Sequence, residues 1–367
     1  MLTQPTAPPL SADPPSRASR LRKYLKQGVI TLVAFAIAAA LLNQIIPSPA
    51  IPPNVVFVSP KYAHYQTHKD EYNTLFFGSS RIFNQVVPGV FDANARTAGT
   101  RINSFNFGVP ALRALPGYVL LRDVLKDPPV NLKWVFIETP LDQGYEPIEN
   151  ARTNRSIYWH TFENTWFAID YILKSDSAAL HKPILIASHV LPFIYNQINI
   201  GRLFNQWLPI TQFSTDEQQK AAQFLANEGY KPLNDPQDPK RQAFLNSLDS
   251  YQTSVQQLAA RNLAVLKQEA IPKNQLKLLK KITAEVEAAG ATPIFLLPPT
   301  LVSQDSLHQA YQQSKIRYLL AFDNPNETPG LYDIALRHDD EHLNGEGSRH
   351  FTQLIAKAFV ETIQPQT

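Results

Sequence analysis

Residues 72–81 read Tyr-Asn-Thr-Leu-Phe-Phe-Gly-Ser-Ser-Arg, a short apolar run closed by a glycine and two serines. A run of this length is a strand rather than a helix, and the Gly-Ser-Ser that ends it is turn chemistry. A buried strand over Tyr72–Phe77 is therefore predicted, leading through a sharp turn into a helix. Four further β-type runs follow: Ser104–Phe107, Lys133–Glu138, Pro293–Leu297 and Tyr318–Phe322. Helical patterns lie between them. In Lys273–Ala289, Leu276, Leu279, Ile282 and Val286 share a face, and Gly290 stands as the C-terminal stop. In Gly345–Ile363, Phe351, Leu354, Ile355, Ala358 and Phe359 follow helical spacing, with Asn344 placed to cap the first turn. Alternating strands and helices predict an α/β fold, a parallel sheet covered on both faces that binds ligands at the carboxyl ends of its strands.

Between the third and fourth runs lie roughly 150 residues, too many for a simple crossover. Much of this insert, about 155–225 and 241–270, reads as helix. Its start is rich in aromatics: Tyr158, Trp159, Phe162, Trp166, Phe167 and Tyr171.

Upstream of the domain, residues 28–46 (GVITLVAFAIAAALLNQII) carry no charge over nineteen positions. At about 1.5 Å per residue such a helix just spans a bilayer core of about 30 Å. Arg17, Arg20, Arg22, Lys23 and Lys26 precede it, and no basic residue follows before Lys61. This asymmetry predicts a cytoplasmic amino terminus and an exported remainder. The expected organisation is a disordered tail over 1–27, a transmembrane helix over 28–46, a linker over 47–70 with a polyproline-type stretch at 47–54, and an exported domain over 71–367 carrying its helical insert at about 150–270. A cleaved signal peptide is the alternative, with Ser48-Pro49-Ala50 as its small-residue site. The long apolar stretch and the crowding prolines favour an uncleaved anchor.

The formal net charge of +3 is not spread over the chain: residues 1–27 carry +4, which leaves −1 for the rest. A nucleic-acid partner needs a basic face on the folded body, and none is implied. There is no cysteine, which excludes a disulfide framework, a thiolate zinc site and a cysteine nucleophile. Nothing calls for a cofactor.

Two segments could carry chemistry. In Phe77-Gly78-Ser79-Ser80-Arg81 the strand-to-helix turn can hold a serine hydroxyl clear of the backbone at the open edge of the sheet. In Arg337-His338-Asp339-Asp340-Glu341-His342-Leu343-Asn344, Asp339 and His342 stand three residues apart in a tight loop. A carboxylate at that spacing can hold the imidazole Nδ1–H and leave Nε2 free to take a proton. An ordinary turn and a solvated charged loop are the bland readings of the same residues. His338 and His342 with the interleaved aspartates could instead bind a divalent metal, although no further His/Asp cluster supports that. Arg81 could meet an anionic substrate or lie on a helix surface.

Together these segments resemble the SGNH (GDSL-like) hydrolase superfamily. Gly78-Ser79-Ser80 is similar to its first block, Gly-Asp-Ser, with Ser79 in place of the acid. Asp339-x-x-His342-Leu343 is similar to its terminal Asp-x-x-His block. The resemblance covers roughly residues 70–140 and 270–362 and implies a three-layer α/β/α, flavodoxin-like domain. It implies Ser80 as nucleophile, His342 as base, Asp339 as the orienting acid, and the backbone N–H groups of Ser80 and Gly108 as oxyanion donors. Gly108 comes from Asn106-Phe107-Gly108 after the second strand. The third block's Gly-x-Asn-Asp is missing: the strand ends Ile137-Glu138-Thr139-Pro140. A Gly-Ser-Ser turn, a missing asparagine and an amino-terminal anchor are together similar to the membrane-anchored, DltD-like branch. Proteins of alginate O-acetylation are a more distant parallel. That branch implies acyl-ester chemistry on a cell-envelope polysaccharide, with an acyl donor and a membrane-bound acyltransferase as possible partners. Transferase and hydrolase both stay open, as does an inert scaffold of the same fold.

Overall fold

The computed structural model describes residues 17–45, 51, 52, 54–145, 147–198, 214–261 and 270–362. Five strands form one parallel sheet in the order β2-β1-β3-β4-β5: β1 Thr74–Phe77, β2 Ser104–Asn106, β3 Trp134–Ile137, β4 Thr292–Leu297 and β5 Leu319–Ala321. Each lies within one or two residues of the run that predicts it.

The helices in chain order are α1 (Arg17–Ile45), α2 (Val58–His68), α3 (Ser80–Phe83), α4 (Pro88–Thr97), α5 (Ala114–Leu125), α6 (Asn154–Ile157), α7 (Phe162–Leu173), α8 (Lys182–Ile198), α9 (Thr215–Leu225), α10 (Pro239–Leu245), α11 (Leu248–Ala259), α12 (Lys273–Ala288), α13 (Asp305–Gln312) and α14 (Gly345–Thr362).

Strand side chains alternate between faces with a period of two, and both faces are buried, which is why β1, β3 and β4 are apolar at almost every position, while the buried polar residues of β2, Ser104 and Asn106, are hydrogen-bonded. Leu75, Phe77, Val135, Ile137 and Phe295 meet α5 and α12 on one face. Phe76, Phe136, Ile294 and Leu296 meet α4 and α14 on the other. There Phe76 stacks on Phe136 with ring centroids 4.5 Å apart, and Phe91 stands edge-on to both. Helix α12 ends as expected at Gly290, whose φ of +77° is a left-handed stop. Asn344 caps α14, its Oδ1 accepting from the N–H groups of Glu346 and Gly347 at 3.1 and 2.9 Å.

Two expected boundaries change. The helix containing the apolar stretch begins at Arg17, so residues 17–27 are helical rather than tail, and Leu21–Leu42 is long and apolar enough to cross a membrane. Residues 1–16 and Ile46 lie outside the described residues. The stretch expected as linker contains α2, whose Val58, Lys61 and Tyr65 are buried in the body. The prolines before it read as a spacer, but an i, i+3, i+7 stripe continues beyond them and packs.

The described parts of the insert are largely helical, as their pattern implies, while residues 199–213 and 262–269, also expected as helix, lie outside the described residues. Two buried histidines pin its first part. His160 Nδ1 lies 2.6 Å from the Ser156 carbonyl and must carry the proton there, so its Nε2 accepts from His189 Nδ1–H at 2.9 Å. His189 Nε2 is then left buried without a partner. Burial pushes His160 down to about 3 and His189 to about 4. Both folded values lie below the ordinary imidazole value. The stability these rings contribute is therefore complete above about pH 6.5 and is lost as pH falls toward the folded values. On lowering the pH from 7.5 to 5, the expected loss is about 2 kcal/mol for each ring. Amide exchange over residues 156–196 reads it, and unchanged protection across that range would contradict a buried neutral pair.

Candidate active site

The carboxyl ends of β1, β2, β3 and β4 meet at one edge of the sheet. β1 ends at Phe77 and the chain turns through Gly78, where a Cβ would stand 2.3 Å from Ile82 Cγ1 and 2.5 Å from Glu138 Oε2. Only glycine fits between those groups. Ser79 caps α3, its Oγ accepting from Arg81 N–H at 3.2 Å, and Ser80 begins the helix. Among the described residues, nothing accepts from the Ser80 N–H.

From the far end of the chain comes the Arg337–Leu343 loop, closed by a bridge between those two residues. Arg337 is fully buried. Its guanidinium collects the carbonyls of Asp339, Leu331 and Asp340, and its face lies over Tyr251 and Tyr332. His338 N–H donates to the His342 carbonyl at 2.7 Å, which tightens the loop further. Asp339 Oδ1 accepts from the N–H groups of Glu341 and His342 at 2.8 and 2.7 Å.

Ser80, His342 and Asp339 are brought together. His342 Nε2 lies 2.8 Å from Ser80 Oγ, and His342 Nδ1 lies 2.9 and 3.0 Å from the two Asp339 oxygens. Burial by itself raises the Asp339 carboxyl, but hydrogen bonds and charge attraction from His342, with those two backbone donors, outweigh it and hold it down at about 2. The acid is thus ionised at neutral pH and fixes the proton on Nδ1, leaving Nε2 to accept from the serine hydroxyl. Asp340 contributes only its carbonyl, to Arg337. Both ring nitrogens of His342 are engaged, and His338 faces Asp238 at 3.6 Å instead. The paired-histidine metal arrangement does not form: among the described residues, no three His, Asp or Glu side chains gather around a common point.

Gly108 is not where the resemblance implies. Its N–H donates to Asn106 Oδ1 at 2.8 Å, it stays out of the cleft, and a Cβ there would stand 2.2 Å from Phe83 N. It is a glycine because the backbone of α3 rests on it, and its donor is already spent. Arg81, too, is neither a surface residue nor free for a substrate. It is buried, pairs with Glu138 Oε1 at 2.8 Å and donates to Thr300 Oγ1 at 2.8 Å. The other Glu138 oxygen accepts from Ser79 N–H at 2.5 Å. The acid that replaces the expected third block therefore ties the ends of β1, β3 and β4 together beneath the serine.

Two further residues carry no local signal. Lys61 of α2 is fully buried and donates to the carbonyls of Asn106 and Gly108, both at 2.7 Å, with its ammonium 4.3 Å from the Phe83 ring centroid. Burial pushes its amine well below the usual lysine range. Asn106 donates to the carbonyls of Ile82 and Val86 at 2.7 and 2.8 Å, fastening α3 to β2.

The serine opens into a cleft of about 480 Å³ whose polar wall includes Arg113, Asp238, Lys240, His338 and Glu341. Asp238 and Lys240 come from the insert, so the long segment between β3 and β4 builds part of the site. No protein-family model matches this chain, and no curated protein does either.

Proposed function

We propose that this protein is a membrane-anchored serine esterase or O-acyltransferase of the SGNH type, acting outside the cytoplasm on a cell-envelope polymer. The observation that carries the reading is the 2.8 Å approach of Ser80 Oγ to an imidazole whose other nitrogen is held by an ionised carboxylate. Such a serine is activated for attack on an acyl carbon. His342 takes the hydroxyl proton as Oγ bonds to the carbonyl carbon, then returns it to the alkoxide that leaves as the ester C–O bond breaks. The acyl-Ser80 intermediate is discharged by water in a hydrolase or by a polymer hydroxyl in a transferase, with His342 removing that proton in turn. The Ser80 N–H is the backbone donor available to the oxyanion.

Several observations support the finer assignment. The strand order 2-1-3-4-5 is that of flavodoxin-like sheets, whose ligands sit at the carboxyl edge. A cleft walled by charges of both signs suits a hydroxyl-rich chain better than a long acyl tail. The basic residues before the apolar helix favour a cytoplasmic amino terminus. A membrane-bound acyltransferase is the partner this location suits. One observation favours the inert-scaffold reading: with Gly108 N–H given to Asn106 and Glu138 in the third-block position, the oxyanion site is poorer than in the hydrolases it resembles.

A membrane-impermeant fluorophosphonate probe, applied to cells with only the outer barrier opened, decides among these. Covalent labelling of the wild type and none of Ser80→Ala is expected. Labelling in lysates alone would reverse the orientation, and no labelling of folded wild type in either would leave the scaffold.

A further inference from the structure

Helices α7 and α8 pack against each other on the edge of the body, and each wastes its outward face by the rules of a soluble helix. The inward side of α7 is filled by Ala168, Tyr171 and Ile172. Its outward stripe, where a soluble helix carries charge, holds Phe162, Trp166 and Leu173, which are 71%, 64% and 55% exposed. Leu180 in the connection is 87% exposed, and Ile184 and Ile194 on α8 are exposed as well. Residues 183–198 of α8 contain no Asp, Glu, Lys or Arg. Large apolar side chains this exposed on two helices that pack together mark a contact.

What covers it follows from its neighbour. Helix α8 packs against α1, and among the described side chains of α1 Ala39 is the one buried. Ala39 stands three residues inside the end of the Leu21–Leu42 span. At about 1.5 Å per residue that is about 5 Å inside the hydrocarbon boundary. A helix that touches α1 there sits at the depth of the membrane interface, where aromatic side chains such as Trp and Phe prefer to lie. Glu163 and Asp170 on α7, with Lys174 just past its end, keep that helix in the interface rather than across it.

We propose that the α7–α8 hairpin is a second membrane contact, with its outward apolar stripe seated in the lipid interface beside the anchor. It rests on the reading of α1 as a membrane-spanning helix. Its consequence is geometric. A body held by one helix alone can swing about it, whereas two contacts fix the rotation of the body, and of the cleft that the same insert helps to build, relative to the membrane plane.

The absence of cysteine makes a direct test clean. Single substitutions Trp166→Cys, Leu180→Cys, Ile184→Cys, Phe35→Cys and Lys357→Cys in the full chain are labelled with an environment-sensitive fluorophore. The protein is placed in nanodiscs of phosphatidylethanolamine and phosphatidylglycerol, with and without bromine on the acyl chains. Lys357 belongs to α14, on the opposite face of the sheet, and Phe35 reports the span itself. Brominated lipid is expected to quench positions 166, 180 and 184 at least about twofold, as for residues seated at the acyl boundary, while leaving 357 unchanged. Quenching at 35 with none at 166, 180 and 184 overturns the proposal, whether water or a protein partner covers the face, and leaves the anchor intact. Quenching of the hairpin without position 35 overturns the anchor and with it a second contact placed beside that anchor. No quenching anywhere overturns both.

Discussion

Ser80→Ala is expected to lower kcat/KM for ester cleavage or acyl transfer by on the order of 10⁴-fold or more, and His342→Ala by about as much, because nucleophile and base act as one unit. The double variant should then be no worse than either single one. Asp339→Asn should keep turnover about one to two orders of magnitude above the serine variant: it disturbs the tautomer of His342 but leaves Oγ and Nε2 in place. All three side chains sit at the cleft on a loop and a turn that other residues brace, so thermal melts should stay close to wild type. A chromogenic acyl ester and complementation of a strain lacking the protein are the two readouts. Full complementation by Ser80→Ala would make the serine a turn residue and the protein a scaffold.

The second large effect is expected one layer deeper. Arg81→Ala leaves the Glu138 carboxylate, with 3% of its side chain exposed, without its charge partner. Removing one member of a buried pair costs about 3–5 kcal/mol, since the remaining charge has lost its solvation and gained nothing. Glu138 also holds the Ser79 N–H, so the turn that presents Ser80 should slacken with it. Replacing both members with apolar residues of similar size, Arg81→Met with Glu138→Leu, should recover most of the stability. Fluorophosphonate labelling should not recover, because replacing Glu138 takes away the acceptor of the Ser79 N–H. Urea denaturation and the labelling rate separate the two quantities. A loss below about 1 kcal/mol for Arg81→Ala would mean that the pair does not hold the edge together.

The strands and the local geometry of the site were legible without a structure, for reasons of range. A strand buried on both faces is apolar at most positions, its polar residues needing partners as Ser104 and Asn106 have, and that signature is contained in three to six residues. Gly78 before Ser79-Ser80, Asp339 three residues before His342, and Asn344 ahead of α14 are likewise local. Each is set by the reach of one side chain to a neighbour within a turn.

What remained hidden depends on partners far apart in the chain. Lys61 reaches Asn106 across 45 residues, Arg81 reaches Thr300 across 219, and Ser80 meets His342 across 262. The last was suggested only by resemblance. Prolines ahead of α2 look like a spacer until the body that buries Val58 and Tyr65 is present. Gly108 looks like a donor until Asn106 Oδ1 is seen to accept its N–H. Arg81 looks like a surface charge until Glu138 stands beside it. Taken alone, the sequence determined the strand–helix alternation, the apolar amino-terminal helix and the residue types of the site, because periodicity and short spacing are local. Tertiary structure alone decided which charges are buried, which donors are already engaged and which apolar faces are left uncovered. Burial and hydrogen-bond satisfaction belong to the surroundings of a residue, and those are assembled only by folding.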